Sequence, residues 1–176
     1  MYRIDECIDI CASGSHFRLI TPELVLAVCS RESLMQNIIG GIPNDSDTGA
    51  FQLNRKVWHA ELREMPGCKS GSWRVSPGHK ASELGYCPTF LDGCTHARDL
   101  LTANYLIAAH AGVKDVDTRM HIAVAGYNRG GTGALMDFKR YGDADYGTAH
   151  QNYGKDVLGV RLPQVTVWFE QHGLVD

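Results

Sequence analysis

Thr21-Pro22-Glu23-Leu24-Val25-Leu26-Ala27-Val28-Cys29-Ser30-Arg31-Glu32-Ser33 is the stretch from which the fold can be read. Threonine, proline and an acid in succession mark a helix start. The hydroxyl takes an unpaired N–H of the first turn, the proline has no N–H to leave open, and the carboxylate meets the positive end of the helix dipole. Leu24, Val25, Val28 and Cys29 then recur at helical spacing and give one apolar face. Upstream, Ile4, Cys7, Ile8 and Cys11 share a face of a helix over Arg3 to Cys11. Downstream, Gly40 to Gly49 is a run of turn formers, Ala50 to Leu53 a short apolar segment, and Val57, Trp58, Glu61 and Leu62 restore helical spacing until Pro66-Gly67. Residues 67 to 88 form the one long irregular stretch, of the kind that is commonly functional or mobile. Leu91, Cys94, Ala97, Leu101, Tyr105 and Ala108 predict a long helix; Asp117-Thr118 caps another that stops at Gly130-Gly131. Shorter helices follow over Ala134 to Tyr141 and Tyr153 to Val160, with a last one over Pro163 to Gln171. The expected class is mainly α, a single domain over 1–176, with at most a small hairpin between Gly40 and Leu53.

The composition narrows the function. A hydrophobic fraction of 44% and a charged fraction of 21% in 176 residues exclude a disordered chain and allow a real core. Seventeen Lys and Arg against twenty Asp and Glu leave a charge of −3, whereas phosphate-tracking proteins carry a basic excess, so no nucleic acid is expected. No apolar run approaches the roughly 18 residues of a membrane span, so no membrane partner is expected. Met1-Tyr2-Arg3-Ile4-Asp5-Glu6 carries no export signal, which predicts a soluble domain or one that leaves its cell by another route. The six cysteines include no Cys-x-x-Cys pair, and neither metal nor cofactor is expected. Cys7, Cys11 and Cys29 read as small buried thiols; Cys68, Cys87 and Cys94 lie in or beside the irregular stretch, where a disulfide is plausible in an oxidising compartment.

The chemistry centres on Glu32. A carboxylate late in a helix faces the negative end of the dipole, and burial of that helix acts in the same direction; both disfavour the ionised form, as a general acid near neutral pH requires. The following Gly-rich loop supplies Asp45 and Asp47, which read as solvated and ionised. Two carboxyls in contrasting settings suit cleavage of a glycosidic bond, one protonating the leaving oxygen and the other steering water. Glu32 as a plain helix-end charge or a partner of Arg31 is the alternative. Tyr127-Asn128, at a helix C-terminus after the small residues 123–126, can present a ring and an amide to a sugar. Tyr127 as a core residue and Asn128 as a turn residue form the competing assignment.

Ser30-Arg31-Glu32-Ser33, Thr48-Gly49-Ala50-Phe51-Gln52-Leu53 and Ala125-Gly126-Tyr127-Asn128-Arg129-Gly130 together resemble the three motifs of the goose-type lysozyme and soluble lytic transglycosylase superfamily. Those motifs are a helix ending in Glu-Ser, a Gly-x-x-Gln turn and an Ala-x-Tyr-Asn-x-Gly segment, in that order. Asp145-Tyr146 and Tyr153-Gly154-Lys155-Asp156-Val157 are similar to the tail of phage-borne and actinobacterial members. The resemblance implies a lysozyme-like fold, a helical bundle with a small β-hairpin or loop lobe and a glycan cleft between lobes. Its substrate would be bacterial peptidoglycan, cut at the β-1,4 bond between N-acetylmuramic acid and N-acetylglucosamine. Glu32 matches the catalytic acid, Gln52 the glutamine of the cleft turn, and Tyr127 with Asn128 the glycan-contacting pair. Asp45 fits the loop aspartate that activates water, with Asp47 beside it as a substrate contact. The family's second aspartate position, directly after the Gln turn, holds Asn54 here.

Two outcomes share that scaffold: hydrolysis, which the two loop carboxylates favour, and attack by the muramic 6-hydroxyl to give a 1,6-anhydro end. A non-catalytic wall-binding domain is the third reading. Gly130-Gly131-Thr132-Gly133 as a phosphate loop lacks the following lysine and preceding strand, and no local motif supports a Cys–His hydrolase. With no export signal, a phage lysin, a tail-associated lysozyme or one domain of a larger wall-degrading protein is expected, acting at the wall as a monomer.

Overall fold

The computed structural model describes residues 4–14, 18–36, 38–39, 47–54, 57–58, 74–75 and 88–174. Within them the chain is mainly helical: α1 (Ile4–Ala12), α2 (Pro22–Ser33), α3 (Phe90–His110), α4 (Val116–Arg129), α5 (Gly131–Tyr141), α6 (Tyr153–Asp156) and α7 (Leu162–Gln171), with a 3-10 turn at Ala149–Gln151. The helix read from Thr21 is present as expected, the Thr21 hydroxyl accepting the Leu24 N–H at 3.3 Å. Its other end is abrupt. Leu34 (φ 52°) and Met35 (φ 60°) are both left-handed, and their N–H groups return to the carbonyls of Ser30 and Cys29. Two successive side-chain-bearing residues in that region carry a conformational cost, so the stop is enforced by its surroundings.

Three expectations need correction. The hairpin between Gly40 and Leu53 is part of a larger sheet of two-residue strands, β1 (Ile38–Ile39), β2 (Asp47–Thr48), β3 (Leu53–Asn54) and β4 (Arg74–Val75), in the order β3-β2-β1-β4. β1–β2 and β2–β3 are antiparallel, whereas β4, from the long irregular stretch, lies parallel to β1. The cap of α4 is Asp115 rather than Asp117: its carboxylate accepts the Thr118 N–H at 2.7 Å. The last two helices are one. A π-helical turn, Val157–Arg161, joins α6 to α7, and right-handed helical dihedrals continue through Asp156, Val157, Arg161 and Leu162.

The main core gathers α1, α2, α3 and the β2–β3 turn around Val25, Val28, Phe51, Leu53 and Leu101. A smaller one, with Ala108, Ile122, Ala125 and Ala134, lies between α3, α4 and α5. Close approach there depends on glycine. A Cβ on Gly131 would lie 2.3 Å from Oδ1 of the buried Asn104, whose Nδ2 donates to the Ala123 carbonyl. Gly131 therefore has a packing explanation, while Gly130 supplies the positive φ (81°) between the two helices. No helix among the described residues is long and apolar enough to cross a membrane.

Cys7, Cys11 and Cys29 are buried free thiols, as their spacing predicts. Cys94 is one too, inside α3 as the helical spacing predicts, with its Sγ 3.1 Å from that of Cys7, and not in a disulfide; Cys68 and Cys87 lie outside the described residues. Hydrogen bonding with Cys7, then burial, pushes the Cys11 thiol up, and burial does the same for Cys29. Thiolate is the reactive form. Iodoacetamide at pH 8 should thus leave positions 7, 11 and 29 unmodified in the native protein and alkylate them in denaturant, as peptide mass spectrometry would read.

Candidate functional site

Glu32 occupies the penultimate position of α2 and is half-buried. Ser33, the next residue, holds that helix end against the sheet: its hydroxyl donates to the Ala50 carbonyl at 2.6 Å and accepts the Gln36 N–H. The Gly49–Gln52 turn is thereby docked beside Glu32. It is tight at both ends, with Gly49 at φ 80° and Gln52 at φ 49°, and a Cβ on Gly49 would also meet Pro88 at 2.8 Å. The Gln52 amide nitrogen donates to the Gly49 carbonyl at 2.7 Å, so this side chain braces its own turn. Phe51, fully buried, offers its carbonyl to the Tyr127 hydroxyl at 3.0 Å. Segments far apart in sequence thus converge on one place.

Tyr153, which was not among the candidate residues, completes it. Its hydroxyl donates to Glu32 Oε1, and its ring lies parallel to that of Tyr127, centroids 6.5 Å apart at 7°. Burial, then the charge of Glu32, raises both phenols well above their ordinary range, so each remains a neutral donor. The Asp47 carboxylate also raises Tyr127, so its charge is felt at that ring. Asp47 is half-buried with Oδ1 shielded from water, a correction to the solvated carboxylate expected. Asp45 lies outside the described residues.

The other candidates are placed less directly. Asn128 is exposed at the end of α4, where its side-chain oxygen accepts the Ala149 N–H at 3.0 Å and so anchors the 3-10 turn. Arg31 pairs with Asp156 at 3.1 Å, and its guanidinium sits 5.5 Å from the Tyr153 ring centroid; Arg161 reaches the same Asp156 oxygen. A cavity of about 940 Å³ opens between α1, α2 and α7, lined by Ile4, Leu26, Ser30, Met35, Val165 and Trp168 among others, but Glu32 is not in its wall.

The helix that carries Tyr153 starts on a buried carboxylate. Asp145 is fully buried and takes four donors: Gly154 N–H (2.6 Å) on Oδ1, His121 Nε2 (2.9 Å) and Lys155 N–H (2.9 Å) on Oδ2, and on Oδ1 also the Thr148 hydroxyl (3.2 Å), whose one hydrogen is shared with the Asp145 main-chain carbonyl (2.8 Å). Four donors fill the lone-pair sites of a carboxylate. His121, Asp143 and Asp145 bring ligand-type atoms within 4.8 Å of one another, yet Asp145 is saturated and the Lys155 ammonium sits on Asp143, so the trio is satisfied from within. Burial alone would raise the Asp145 pKa; the hydrogen bonds from His121, Gly154 and Lys155 outweigh it and bring it down to about 2. The folded protein then binds this proton more weakly than the unfolded chain. Its stabilising share, on the order of 2 kcal/mol, is complete above about pH 4 and is lost as pH falls toward 2. Urea titrations at pH 5 and pH 2.5 should therefore show a larger acid loss for the wild type than for Asp145→Asn.

No protein-family model, curated protein or solved structure matches this chain.

Proposed function

We propose that this chain is a peptidoglycan glycosidase, with Glu32 as the general acid on the β-1,4 bond between N-acetylmuramic acid and N-acetylglucosamine. The observation that carries the reading is the setting of Glu32: a half-buried carboxyl at a helix end, touched by the neutral Tyr153 hydroxyl beside a parallel pair of tyrosine rings. The carbonyl end of α2 favours the protonated acid in the ground state. As the proton passes to the leaving oxygen, charge develops on the carboxylate, and the Tyr153 hydrogen bond strengthens with it. That difference between ground and transition state is what accelerates the step. Gln52 and Tyr127 hold the turn that borders Glu32, and Asn128 offers a surface amide nearby in sequence to Tyr127. The motif resemblance supports the same substrate.

Hydrolysis requires a carboxylate to activate water, a role given to Asp45 with Asp47 beside it; the product is then a reducing sugar. One observation favours the 1,6-anhydro outcome. Asn54, paired with Asp47 across β2–β3, stands where the goose-type hydrolases that the motifs resemble carry a second aspartate, and an amide cannot act as a base. Hydrolysis remains our reading, on the two loop carboxylates. Mass spectrometry of soluble products from purified sacculi tests it: reducing ends are expected, anhydro ends, lighter by one water, would reassign the reaction, and no released muropeptide would favour a wall-binding module.

A further inference from the structure

The hydroxyl of Tyr153 can serve Glu32 only if α6 begins in one place. That start is set from beneath. Asp145 receives the N–H groups of Gly154 and Lys155, and the Thr148 hydroxyl, itself bonded to Asp145, accepts the Tyr153 N–H at 3.3 Å. The backbone on both sides of the Tyr153 Cα is thus tied to one buried carboxylate. His121, from α4, closes the remaining side: facing only an acceptor, its Nε2 carries the proton. Gly154 makes this possible, since a Cβ there would stand 2.5 Å from His121 Cδ2 and 3.2 Å from Asp145 Oδ1. The same α4 carries Tyr127 six residues further on, so His121 also fixes α6 relative to the helix bearing the second ring.

We propose that Asp145 and His121 are positioning residues that hold the Tyr153 hydroxyl on Glu32 and thereby set the proton affinity of that carboxyl without touching it. The functional importance of this rests on Glu32 being the acid; the positioning itself does not. Among the described residues, the other charged or titratable groups around Glu32 and Tyr153 are Arg31, Asp156 and Arg161 from α2 and the α6–α7 helix, Tyr127 from α4, Cys29 and Asp47. None of these bonds to Asp145, and a change in Glu32 that came through them rather than through the Tyr153 hydroxyl would persist in the Tyr153→Phe background.

A donated hydroxyl favours the ionised carboxylate, so losing it raises the carboxyl's titration midpoint. The test follows the Glu32 side-chain carbon by NMR against pH, without substrate, in the wild type, Asp145→Asn, Tyr153→Phe and the double variant. Asp145→Asn should raise the midpoint by about one pH unit, as Tyr153→Phe does, and add nothing in the Tyr153→Phe background. Equal shifts in both backgrounds, or no shift, would overturn the proposal. His121→Gln, on a quarter-exposed side chain, repeats the measurement with a gentler change and Gly154→Ala with a steric one that displaces the His121 ring, and the same non-additivity is required of whichever variants keep the native circular dichroism. On sacculi, these variants should lower kcat about tenfold with KM within about twofold. A coupled NMR shift with no wall-degrading activity even in the wild type would keep the positioning and remove the glycosidase reading; activity with additive shifts would do the reverse.

Discussion

Glu32→Gln is expected to lower muropeptide release from sacculi by about a thousandfold, within the range a positioned general acid supplies. The amide matches the carboxyl in shape and still presents an oxygen to the Tyr153 hydroxyl, so the side chain has reason to stay in place. What it lacks is an acidic proton for the leaving oxygen. The substitution also leaves intact the anchor of the α2 end, which is the Ser33 hydroxyl on Ala50. Folding and glycan binding should therefore be preserved, and the loss should appear in kcat. Pull-down on sacculi and thermal unfolding provide the controls. Wild-type clearing rates in this variant would remove Glu32 from the acid's role.

Phe51→Ala is expected to cost about 3–5 kcal/mol of stability, the usual penalty for truncating a buried aromatic ring. Phe51 is fully buried, with its ring 5.7 Å from that of Phe90, and it fills the space left by Gly93: a Cβ there would stand 2.4 Å from Phe51 Cδ2. The ring wedges the β2–β3 turn against the first turns of α3. Its carbonyl is also the acceptor for Tyr127, so the same change loosens one side of the Glu32 site. A urea midpoint lowered by about 1–2 M, read by fluorescence, is the expected result. Gly93→Ala attacks the same wedge from the other face and should also destabilise.

The helices were legible where chain chemistry is local. Thr21-Pro22-Glu23 set the start of α2 because cap, missing donor and first-turn acid are consecutive residues. At α4 the Asp117-Thr118 pair predicts the cap, but the cap is Asp115. Only Asp115 is three residues before Thr118, where its carboxylate reaches that N–H, while Asp117 falls inside the first turn. Pro163 suggested a fresh helix start, yet it lies within a continuing one. Proline has no N–H for the carbonyl four residues back, and the preceding turn widens instead, with Leu162 N–H bonding to the Val157 carbonyl. The strands, two residues each, are too short to show alternation, and the β1–β4 pairing joins segments that no periodicity links.

The candidate site was legible in part for the same reason. Glu32, Gln52 and Tyr127 sit in motifs whose local order can be recognised. Tyr153 reaches Glu32 across 121 positions, and its only sequence signal was the similarity of the tail around it. Asp145 shares that tail similarity, which says nothing of its part as a keystone. Its role depends on burial and on four donors that only the folded chain assembles.

The wide turn before α7 also constrains how this protein can change length. It holds one residue more than an α-helical turn, so excising one residue between 157 and 161 and letting the spiral close normally would leave everything beyond facing nearly as it does now, whereas excising one further along the helix would turn the remainder by about 100° about its axis. In that second case Phe169, now 1% exposed, would rotate away from the interior while Trp168 and its neighbours exchanged sides. A one-residue deletion should therefore be far better tolerated within the wide turn than between 162 and 168.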